Sequence, residues 1–425
     1  MESKRHLPNH FKAIQFILIV LVVFVAGAIF GSQISISEAQ GGDLTLSQEN
    51  EVAFEPLVQT FNLINRTYID PVDSATLVNG AITGMVEALD DRFSLYIDPE
   101  INALDTRLAG EYEGIGAVIG IIEDTEEIEI RNIFENSPAE QAGLRPGDIF
   151  IAVDGRDIVG FNTAELSSIV RGPGGTPVVL TMSRDGEEFE VTIIRDRVEL
   201  VYVSSELLEG DILYIQLTQF SANAREQIDV VLNQYGADAI NGLVFDLRGN
   251  GGGLLSSAVD IGGLFIEQGT LLIEQFGDGR EIIFKKVDDS GTVTQIFDDG
   301  SERIMTNNAG FAGVTAPIIV LVDGNSASAS ELVAGAWQDT GVATILGTQT
   351  FGKGTVQQAN TLVNGGGLNI TIARWLTPTR EWITDQGITP DIVVELPEEL
   401  EEGQDPQLEA ALEFIEDALE STVAP

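Results

Sequence analysis

Apolar residues recur at helical spacing in two sets near the start of the chain. The sets are Phe54, Leu57, Val58, Phe61 and Ile64, and then Leu77, Ile82, Met85, Val86 and Leu89. Residues three and four apart lie on one face of a helix, so each set predicts an amphipathic helix. Two short helices have little core of their own. We therefore expect this helical region, residues 50–109, to pack against later domains or a second copy of the chain.

From about residue 110 the apolar positions alternate with polar ones, which predicts β-strands. The expected strands are 117–122, 128–133, 148–153, 178–183 and 189–194. Ser137 begins a single helical turn that Gly143 ends, and a longer helix is expected at 163–170. The pattern therefore predicts a small strand-rich domain at residues 110–198.

Continuous apolar strands alternate with helices after residue 199. Strands are expected at 213–217, 242–247 and 317–322, and helices at 222–235, 254–268 and 328–339. This order predicts an α/β domain, residues 199–397, whose mainly parallel sheet is covered on both faces. Residues 281–308 have the pattern of a hairpin excursion. Residues 398–425 contain an acidic helix whose apolar stripe we expect to dock on the body.

An apolar segment at residues 13–30 is interrupted only by Gln15. Three cations precede it, which are Lys4, Arg5 and Lys12. A membrane-spanning helix needs roughly 17 to 25 apolar residues, and flanking cations stay on the cytoplasmic side. The sequence predicts a single-pass membrane anchor, residues 1–31, and a polar linker, residues 32–49. The body would then lie outside the cytoplasm, in a bacterial periplasm or at the cell exterior.

A cleaved export signal is the alternative to an anchor. Residues 26–28, Ala-Gly-Ala, have the small-x-small pattern of a cleavage site. Ile29 and Phe30 continue the apolar segment beyond that point. This continuation favours an uncleaved anchor.

The chain carries 67 acidic residues against 22 basic ones, a formal net charge of −45. Such a surface repels nucleic acid, so we expect no nucleic-acid partner. We interpret the acidity as an adaptation for solubility or for salty surroundings. Attraction of basic substrates stays open as the alternative.

The supply of chemical groups narrows the catalytic options. The chain has no cysteine, and its two histidines, His6 and His10, precede the apolar segment. A histidine triad, a thiol nucleophile and a zinc site of Cys or His ligands are therefore excluded, and no metal or cofactor is expected. Serine paired with lysine remains for covalent acyl chemistry.

Ser328 lies in the stretch 324–331, Gly-Asn-Ser-Ala-Ser-Ala-Ser-Glu, which follows an expected strand and begins a helix. Backbone N–H groups at a helix start are unpaired and carry partial positive charge, which favours an alkoxide or oxyanion. Ser328 is therefore the candidate nucleophile. The alternative is that Ser326, Ser328 or Ser330 only caps the helix.

Lys353 lies between two glycines in the stretch 350–357, Thr-Phe-Gly-Lys-Gly-Thr-Val-Gln. Slim neighbours suit an amine that must approach a serine, and burial lowers the pKa of a lysine so that it becomes a base. In a strand, residues 353 and 357 share a face, so Gln357 is expected to hydrogen-bond the amine and orient it. A surface amide is the alternative for Gln357.

A glycine-rich loop follows the strand that ends at Asp246, with the sequence Asp-Leu-Arg-Gly-Asn-Gly-Gly-Gly over residues 246–253. We expect the N–H of Ala329 and that of Gly252 to form an oxyanion hole, with Gly251 as the alternative donor. A phosphate-binding loop is disfavoured because the glycine spacing differs and no Walker lysine is present.

These stretches resemble the C-terminal processing peptidases, also called tail-specific proteases. Two further stretches share the resemblance: Tyr-Ile-Asp-Pro-Val at 68–72 and Leu-Asp-Asp-Arg-Phe-Ser-Leu-Tyr at 89–96. The resemblance covers residues 51–396. It implies a crotonase-like fold, Ser328 as nucleophile, Lys353 as general base and Gln357 as the assisting glutamine. Arg92 departs from the family pattern, where proline and an aromatic or histidine are commoner; we expect this to concern the helical region alone.

Residues 114–198 resemble a PDZ domain inserted before the catalytic domain, and residues 137–148 are its most specific part. The expected ligands are proteins with free apolar C-termini, because four residues can present N–H groups to a carboxylate: Gly114, Ile115, Gly116 and Ala117. Arg171 is a candidate contact for a switch by which tail binding moves this domain, or else a surface arginine beside a turn.

The sequence predicts a membrane-anchored serine endopeptidase that cleaves proteins near their C-termini, and two other classes of protein are the alternatives. One is a catalytically inactive scaffold whose PDZ domain only tethers partners, and the intact Ser328, Lys353 and glycine loop argue against it. The other is an acyl-CoA enzyme of crotonase type, which the export signal and PDZ domain disfavour. A homodimer or other homo-oligomer is the expected assembly partner.

Overall fold

The computed structural model describes residues 47–104, 108–122, 125–397 and 403–423. The chain divides into two compact units, residues 1–81 and 82–425. In the first unit, helix α1 spans Gln48–Thr67 and Ser47 caps it by accepting a hydrogen bond from the Asn50 N–H at 3.3 Å. Helix α2, Ser74–Glu87, begins in this unit. Both helices predicted from apolar spacing are confirmed.

The second unit continues from α2 with a short strand and a short helix. Strand β1 spans Leu95–Ile97, helix α3 spans Pro99–Leu104 and strand β2 spans Glu111–Gly114. Strand β1 pairs antiparallel with residues 367–369. The region predicted to be helical, residues 50–109, therefore also supplies a strand to the later domain.

The region at residues 110–198 is rich in strands, as its alternating pattern predicted. Its elements are β3 (Ala117–Ile121), β4 (Ile128–Ile133), α4 (Pro138–Gln141), β5 (Ile149–Val153), β6 (Arg156–Asp157), α5 (Thr163–Val170), β7 (Pro177–Arg184), β8 (Glu187–Ile194) and β9 (Asp196–Glu199). The antiparallel sheet has the order β3-β4-β5-β7-β8, with β6 on β5, while β9 pairs with β2. Leu166, Val178, Leu180 and Met182 are fully buried and form the centre of its core.

Two sheets make up the larger domain. Its elements are β10 (Val203–Leu208), β11 (Ile212–Leu217), α6 (Ala224–Tyr235), β12 (Gly242–Asp246), α7 (Leu255–Gly262), β13 (Gly269–Phe276), β14 (Glu281–Lys286), β15 (Val293–Phe297), β16 (Glu302–Thr306), β17 (Ile318–Val322), α8 (Ala329–Asp339), β18 (Thr344–Gly347), β19 (Thr355–Thr361), β20 (Gly367–Leu376), β21 (Ile392–Val393) and α9 (Pro406–Val423). The first sheet, β10-β11-β12-β17-β18-β21, is parallel except for β10, which confirms the predicted mainly parallel sheet.

The second sheet is antiparallel, with the order β1-β20-β13-β14-β15-β16 and with β19 paired to β20. The sequence pattern predicted only part of it, as the hairpin excursion at 281–308. Helix 254–268 was predicted too long, because α7 ends at Gly262. A Cβ added to Gly263 would lie 2.5 Å from the Cβ of Ala309, so the backbone at this glycine packs closely against the segment that follows β16. The two adjacent glycines, Gly262 and Gly263, also disfavour a longer helix.

Helices cover both faces of the parallel sheet. On one face the rings of Phe245, Phe265 and Trp337 pack edge to face at 5.1 to 6.4 Å between centroids. On the other face, Ala411 and Ile415 of α9 are fully buried against the sheet, which confirms the predicted docking of the acidic helix.

Within the described residues, no helix has the length and apolar content that crossing a membrane requires. The predicted anchor at residues 13–30 and its linker lie outside the described residues.

Candidate active site

The candidate groups meet at the carboxyl edge of the parallel sheet. Strands β12 and β17 are parallel neighbours, with Asp246 in register with Leu321. The glycine loop follows β12, and the turn that leads to Ser328 follows β17. Because the carboxyl ends of adjacent parallel strands lie at one edge, the two segments are brought together by the fold.

Ser328 has a strained backbone. Its φ of 58° and ψ of −112° are close to the angles that glycine takes at the first central position of a type II′ turn. Such a conformation costs about 1–3 kcal/mol in a residue with a side chain and persists only where the surroundings enforce it. The turn therefore presents the Ser328 side chain at a position that an ordinary helix start would not reach.

The neighbouring serines fix this turn. The Ser326 hydroxyl donates to the Leu247 carbonyl and the Ser330 hydroxyl donates to the Asn250 carbonyl, both at 2.8 Å and both fully buried. Ser326 and Ser330 therefore bind the glycine loop. Ser328 is half-buried and lines a cavity, so the three serines have different tasks.

Glu331 joins the nucleophile's turn to the lysine segment, and sequence reasoning missed it. Its carboxylate is fully buried and accepts four hydrogen bonds. Oε1 accepts from the Thr350 hydroxyl and the Gly352 N–H, both at 2.6 Å, and Oε2 accepts from the N–H groups of Ser328 at 2.8 Å and Lys353 at 2.9 Å. The Ser-x-x-Glu spacing of a capping box was the signal that could have identified it.

Lys353 lies in a tight backbone channel. A Cβ added to Gly354 would be 2.7 Å from the Thr384 hydroxyl oxygen, which explains a glycine beside the lysine. Burial lowers the pKa of Lys353, while the charges of Glu331 and Asp91 oppose that effect. This direction agrees with the sequence-based expectation. In this arrangement of the described residues, no hydrogen bond joins the Lys353 amine to the Ser328 hydroxyl.

Gln357 faces the same cavity but has other partners. Strand β19 begins after Lys353, at Thr355, so Lys353 lies outside the regular strand on which the prediction relied. The register shift between Val356 and Gln357 leaves an extra residue, Ile372, on β20. The Gln357 amide donates to the hydroxyls of Thr355 at 2.8 Å and Thr371 at 3.1 Å. The amide is thus held by the strand pair, and its expected bond to the Lys353 amine is not formed in this arrangement.

The glycine loop changes the choice of oxyanion donor. The N–H of Gly252, the first choice from the sequence, donates to Oδ1 of Asn250 at 2.9 Å and is therefore already used. Gly252 instead allows close approach, since an added Cβ would lie within 2.9 Å of the Ser328 Cβ and the Ala329 nitrogen. Gly251 and Ala329 both line the cavity, which favours the alternative pair.

One cavity of about 320 Å³ brings the candidate groups together. It is lined by Ser328, Lys353, Gln357, Gly251 and Ala329. Its apolar lining comes from Leu108, Leu254, Leu255, Leu332, Val356 and Trp375. The half-buried Ser328 and Lys353 and the backbone of Gly251 and Ala329 thus line a pocket suited to an apolar side chain.

The segment 91–94 also reaches this site, so the expectation that Arg92 concerns the helical region alone is wrong. The Arg92 guanidinium lies 4.6 Å from the ring centroid of Phe93, and Arg92 donates to Asp385 at 2.8 Å. The ring of Phe93 in turn lies 5.3 Å from the Lys353 nitrogen. No local pattern indicates this contact, because 260 residues separate Phe93 from Lys353.

A network of charged side chains holds the strand end from which the glycine loop begins. Arg248 donates to Asp246, at the end of β12, and also to both oxygens of Asp405, at 2.8 Å each. The Tyr214 hydroxyl donates to Asp246 at 2.6 Å. The start of helix α9 is thereby bonded to the base of the loop.

The predicted carboxylate-binding loop, Gly114 to Ala117, begins at the end of β2 and leads into β3. Gly114, Ile115 and Gly116 are buried, and β3 is the terminal strand of its sheet. A Cβ added to Gly114 would lie 2.8 Å from the ring of Tyr112, and the Arg171 guanidinium lies 4.5 Å from that ring's centroid. Arg171 is thus beside the loop, as its candidate role requires.

Three family descriptions match the chain. Residues 211–394 match "Peptidase family S41", residues 129–184 match "PDZ domain" and residues 23–101 match "Activating protease CtpB N-terminal domain".

Curated relatives cover most of the chain. Carboxy-terminal processing protease CtpA of Bacillus subtilis (strain 168) is 34% identical over 81% of this chain and 70% of its own length. The carboxyl-terminal-processing protease of Synechocystis sp. PCC 6803 is 33% identical over 84% and 86%. The carboxy-terminal-processing protease of Bartonella bacilliformis is 35% identical over 88% and 83%. Among solved structures, a photosystem II D1 C-terminal processing protease aligns with a TM-score of 0.43 at 24% identity, over 82% of this chain and 94% of that one.

These matches define a serine-type peptidase that carries a PDZ domain. The chain belongs to peptidase family S41, among the carboxy-terminal processing proteases, as its sequence resemblance predicted.

Proposed function

We propose that this chain is an endopeptidase that cleaves exported proteins near their C-termini, with Ser328 as nucleophile and Lys353 as general base. The observation that carries the proposal is that both residues open on one cavity while their backbone N–H groups bond to the same carboxylate oxygen of Glu331. A shared anchor of this kind keeps the two segments in fixed relation, which an inactive scaffold would not need.

The proposed reaction begins with a neutral Lys353 amine. The amine takes the proton of the Ser328 hydroxyl as its oxygen forms a bond to the scissile carbonyl carbon. The N–H groups of Ala329 and Gly251 stabilise the resulting oxyanion. Lys353 then protonates the departing amine, the C–N bond breaks and an acyl-serine remains. Water attacks this ester with Lys353 again accepting a proton, which releases the new C-terminus and restores Ser328.

The proposed role of Gln357 is to orient the Lys353 amine when substrate is bound. Its amide is half-buried in the same cavity and bonds to two threonine hydroxyls that can exchange partners without a backbone change. Gly252 serves the close approach of the loop to Ser328 in this proposal, and Gly251 supplies the second oxyanion donor.

The cavity supports an apolar residue on the acyl side of the cleaved bond. Leu254, Leu332 and Trp375 lie beside Ser328 in its lining. Strand β19 pairs on one edge with β20 and, within the described residues, with no strand on the other edge. An extended substrate can add to such an edge, which would align its backbone with the nucleophile.

We assign tail recognition to the loop formed by Gly114, Ile115, Gly116 and Ala117. Strand β3 ends its sheet, so a peptide can pair with it while its carboxylate meets the N–H groups of the loop. Arg171, which lies beside this loop, is the proposed contact through which tail binding moves the PDZ domain relative to the catalytic groups.

The proposal extends to the domain boundaries, the assembly and the cellular location of the protein. We retain residues 110–198 and 199–397 as the PDZ and peptidase domains, a crotonase-like fold for the latter, and a homo-oligomer as the assembly. The apolar segment 13–30 supports a membrane anchor with the peptidase outside the cytoplasm. Fractionation of cells that express the chain, with N-terminal sequencing of the mature protein, tests both the anchor and its retention.

The catalytic proposal is tested by Ser328→Ala and Lys353→Ala with an unstructured substrate that ends in an apolar tail. Each variant should lose at least about a thousandfold in kcat/KM while it still binds the tail. Ser256→Ala and Lys285→Ala are matched controls, because both side chains are exposed and lie outside the cavity. Turnover retained in either catalytic variant, or lost in both controls, would contradict the assignment.

A further inference from the structure

The aromatic ring of Phe93 lies close to two cations at the edge of the candidate active site. The Lys353 nitrogen is 5.3 Å from the ring centroid, and the Arg92 guanidinium is 4.6 Å from it. The ring of Phe351 meets that of Phe93 edge to face at 6.5 Å. A cation within about 6 Å of an aromatic face is attracted by the ring's quadrupole.

The position of this ring is fixed by hydrogen bonds. The Phe93 N–H donates to Asp91 at 3.1 Å, and the Ser94 hydroxyl donates to Asp91 at 2.6 Å. The buried Ser94 oxygen also accepts from the N–H of Thr371, on the strand that pairs with β19. Phe93 is therefore attached to the sheet that bears the lysine segment, which keeps the ring opposite the amine.

The ring discriminates between the two protonation states of the lysine. The quadrupole attracts the ammonium and has no comparable attraction for the neutral amine. The charged groups near Lys353 are Glu331 and Asp91, together with Arg92, which contacts the same ring. Both carboxylates favour the ammonium form of Lys353, and Arg92 disfavours it. None of these three charged groups offers the apolar contact that the Phe93 ring offers.

We propose that Phe93 is a positioning residue for the base: its ring binds the Lys353 ammonium at the edge of the site and thereby sets the pH at which the amine becomes available to Ser328. This inference rests on the proposed catalytic roles of Ser328 and Lys353. Loss of the proton releases the side chain from the ring, so the same step that makes lysine a base also frees it to approach the hydroxyl.

The test is the pH dependence of kcat/KM for Phe93→Leu and Phe93→Trp with one tailed peptide substrate. Leucine removes the aromatic face, so the midpoint of the alkaline rise should move down by about half a unit to one unit. Tryptophan binds cations better than phenylalanine and should move the midpoint up. Phe351→Leu is the matched control, since this neighbouring ring contacts Arg92, at 5.5 Å, and its loss should leave the midpoint in place.

If the ring had a purely structural role, both variants would lose activity and the midpoints of their pH profiles would not move in opposite directions. Equal midpoints in the two variants and the parent chain, or shifts of the same sign, would overturn the inference. If Phe93→Leu fails to fold, the upward shift in Phe93→Trp and an NMR titration of the lysine side-chain carbons decide the matter. An active Lys353→Ala variant would instead refute the proposed function. If activity depends on Lys353 but the midpoint of its pH profile is the same in the Phe93 variants, only this inference is refuted.

Discussion

Ser328 and Lys353 donate their backbone N–H groups to one carboxylate oxygen, Oε2 of Glu331, at 2.8 and 2.9 Å. The other oxygen of Glu331 holds the residues just before the lysine. The two proposed catalytic groups are therefore positioned by a single buried side chain, although 25 residues separate them in the sequence. A buried anion that accepts several hydrogen bonds is stable only while all its partners are in place.

Glu331→Gln should damage both stability and catalysis. Each oxygen of Glu331 accepts two of the four hydrogen bonds, and glutamine has only one acceptor oxygen, so two donors lose their partner and face the amide's own N–H groups. We expect a loss of about 3–5 kcal/mol in the free energy of unfolding, measured by urea denaturation. At a temperature where the variant is folded, kcat should fall at least about a hundredfold because the two groups lose alignment.

Glu165→Gln provides the control for that variant. Glu165 is also the third residue of a helix and bonds back to the Asn162 N–H at 2.8 Å, but it is exposed. Its substitution should cost less than about 1 kcal/mol. Equal losses in the two variants would show that Glu331 acts only as a helix cap.

Burial lowers the pKa of Lys353, so the rate should rise with pH below the usual lysine range. The amine is a base only after it loses its proton, and kcat/KM should therefore increase through a midpoint below 10.5. Asp91→Asn removes an anion that favours the ammonium and should move this midpoint further down. A rate that stays flat from pH 6 to pH 10 in the folded protein would argue against Lys353 as the base.

Asp405→Asn should weaken the glycine loop from a distance. The variant loses one half of the bidentate contact to Arg248, which also bonds to Asp246 at the base of the loop. We expect about 1–3 kcal/mol of lost stability and a lower kcat with little change in KM. Asp417→Asn, an exposed position on the same helix, should stay within about 0.5 kcal/mol of the parent chain. A normal kcat in the Asp405 variant would show that the contact between helix α9 and Arg248 does not affect catalysis.

Glu274 makes stability depend on pH near neutrality. Burial raises its pKa to about 7, and Arg303 only partly opposes this. Between the ordinary pKa of 4.5 and about 7 the folded chain binds more protons than the unfolded chain, so the free energy of unfolding falls as pH rises through this window.

Glu274→Gln should remove that decline and stabilise the protein by about 1–3 kcal/mol at pH 8. Urea denaturation at pH 5 and pH 8 measures the effect, with the exposed Glu267→Gln as control. A parallel pH dependence in the variant and the parent chain would contradict the assignment to Glu274.

The elements with a strong local period could be predicted from the sequence. Helix α5 was expected at 163–170 and spans Thr163–Val170, because a capping box at Asn162 and a buried face at Leu166 and Val170 fix its limits locally. The PDZ strands and the parallel strands β12 and β17 followed for the same reason. Ser328 and Lys353 were found because their chemistry and slim neighbours are visible in short stretches.

What could not be predicted depends on contacts between distant segments. The bond of Gly252 to Asn250 is set by the conformation of the loop, so the choice between Gly251 and Gly252 was not visible. Strand β19 begins only at Thr355, so Lys353 and Gln357 do not share the face of one regular strand. The approach of Phe93 to Lys353 depends on the pairing of Ser94 with β20, which no local pattern records.

Lys353 is proposed to activate Ser328 for acyl transfer, and every role assigned to the site depends on this step. The most direct measurement is mass spectrometry of peptides from enzyme treated with a slowly deacylating ester or acylating inhibitor at alkaline pH. We expect one acyl adduct, on Ser328, whose rate of formation drops at least roughly a thousandfold in Lys353→Ala through loss of the base. An adduct on another residue, or acylation of Ser328 at the parental rate without the lysine, would contradict it.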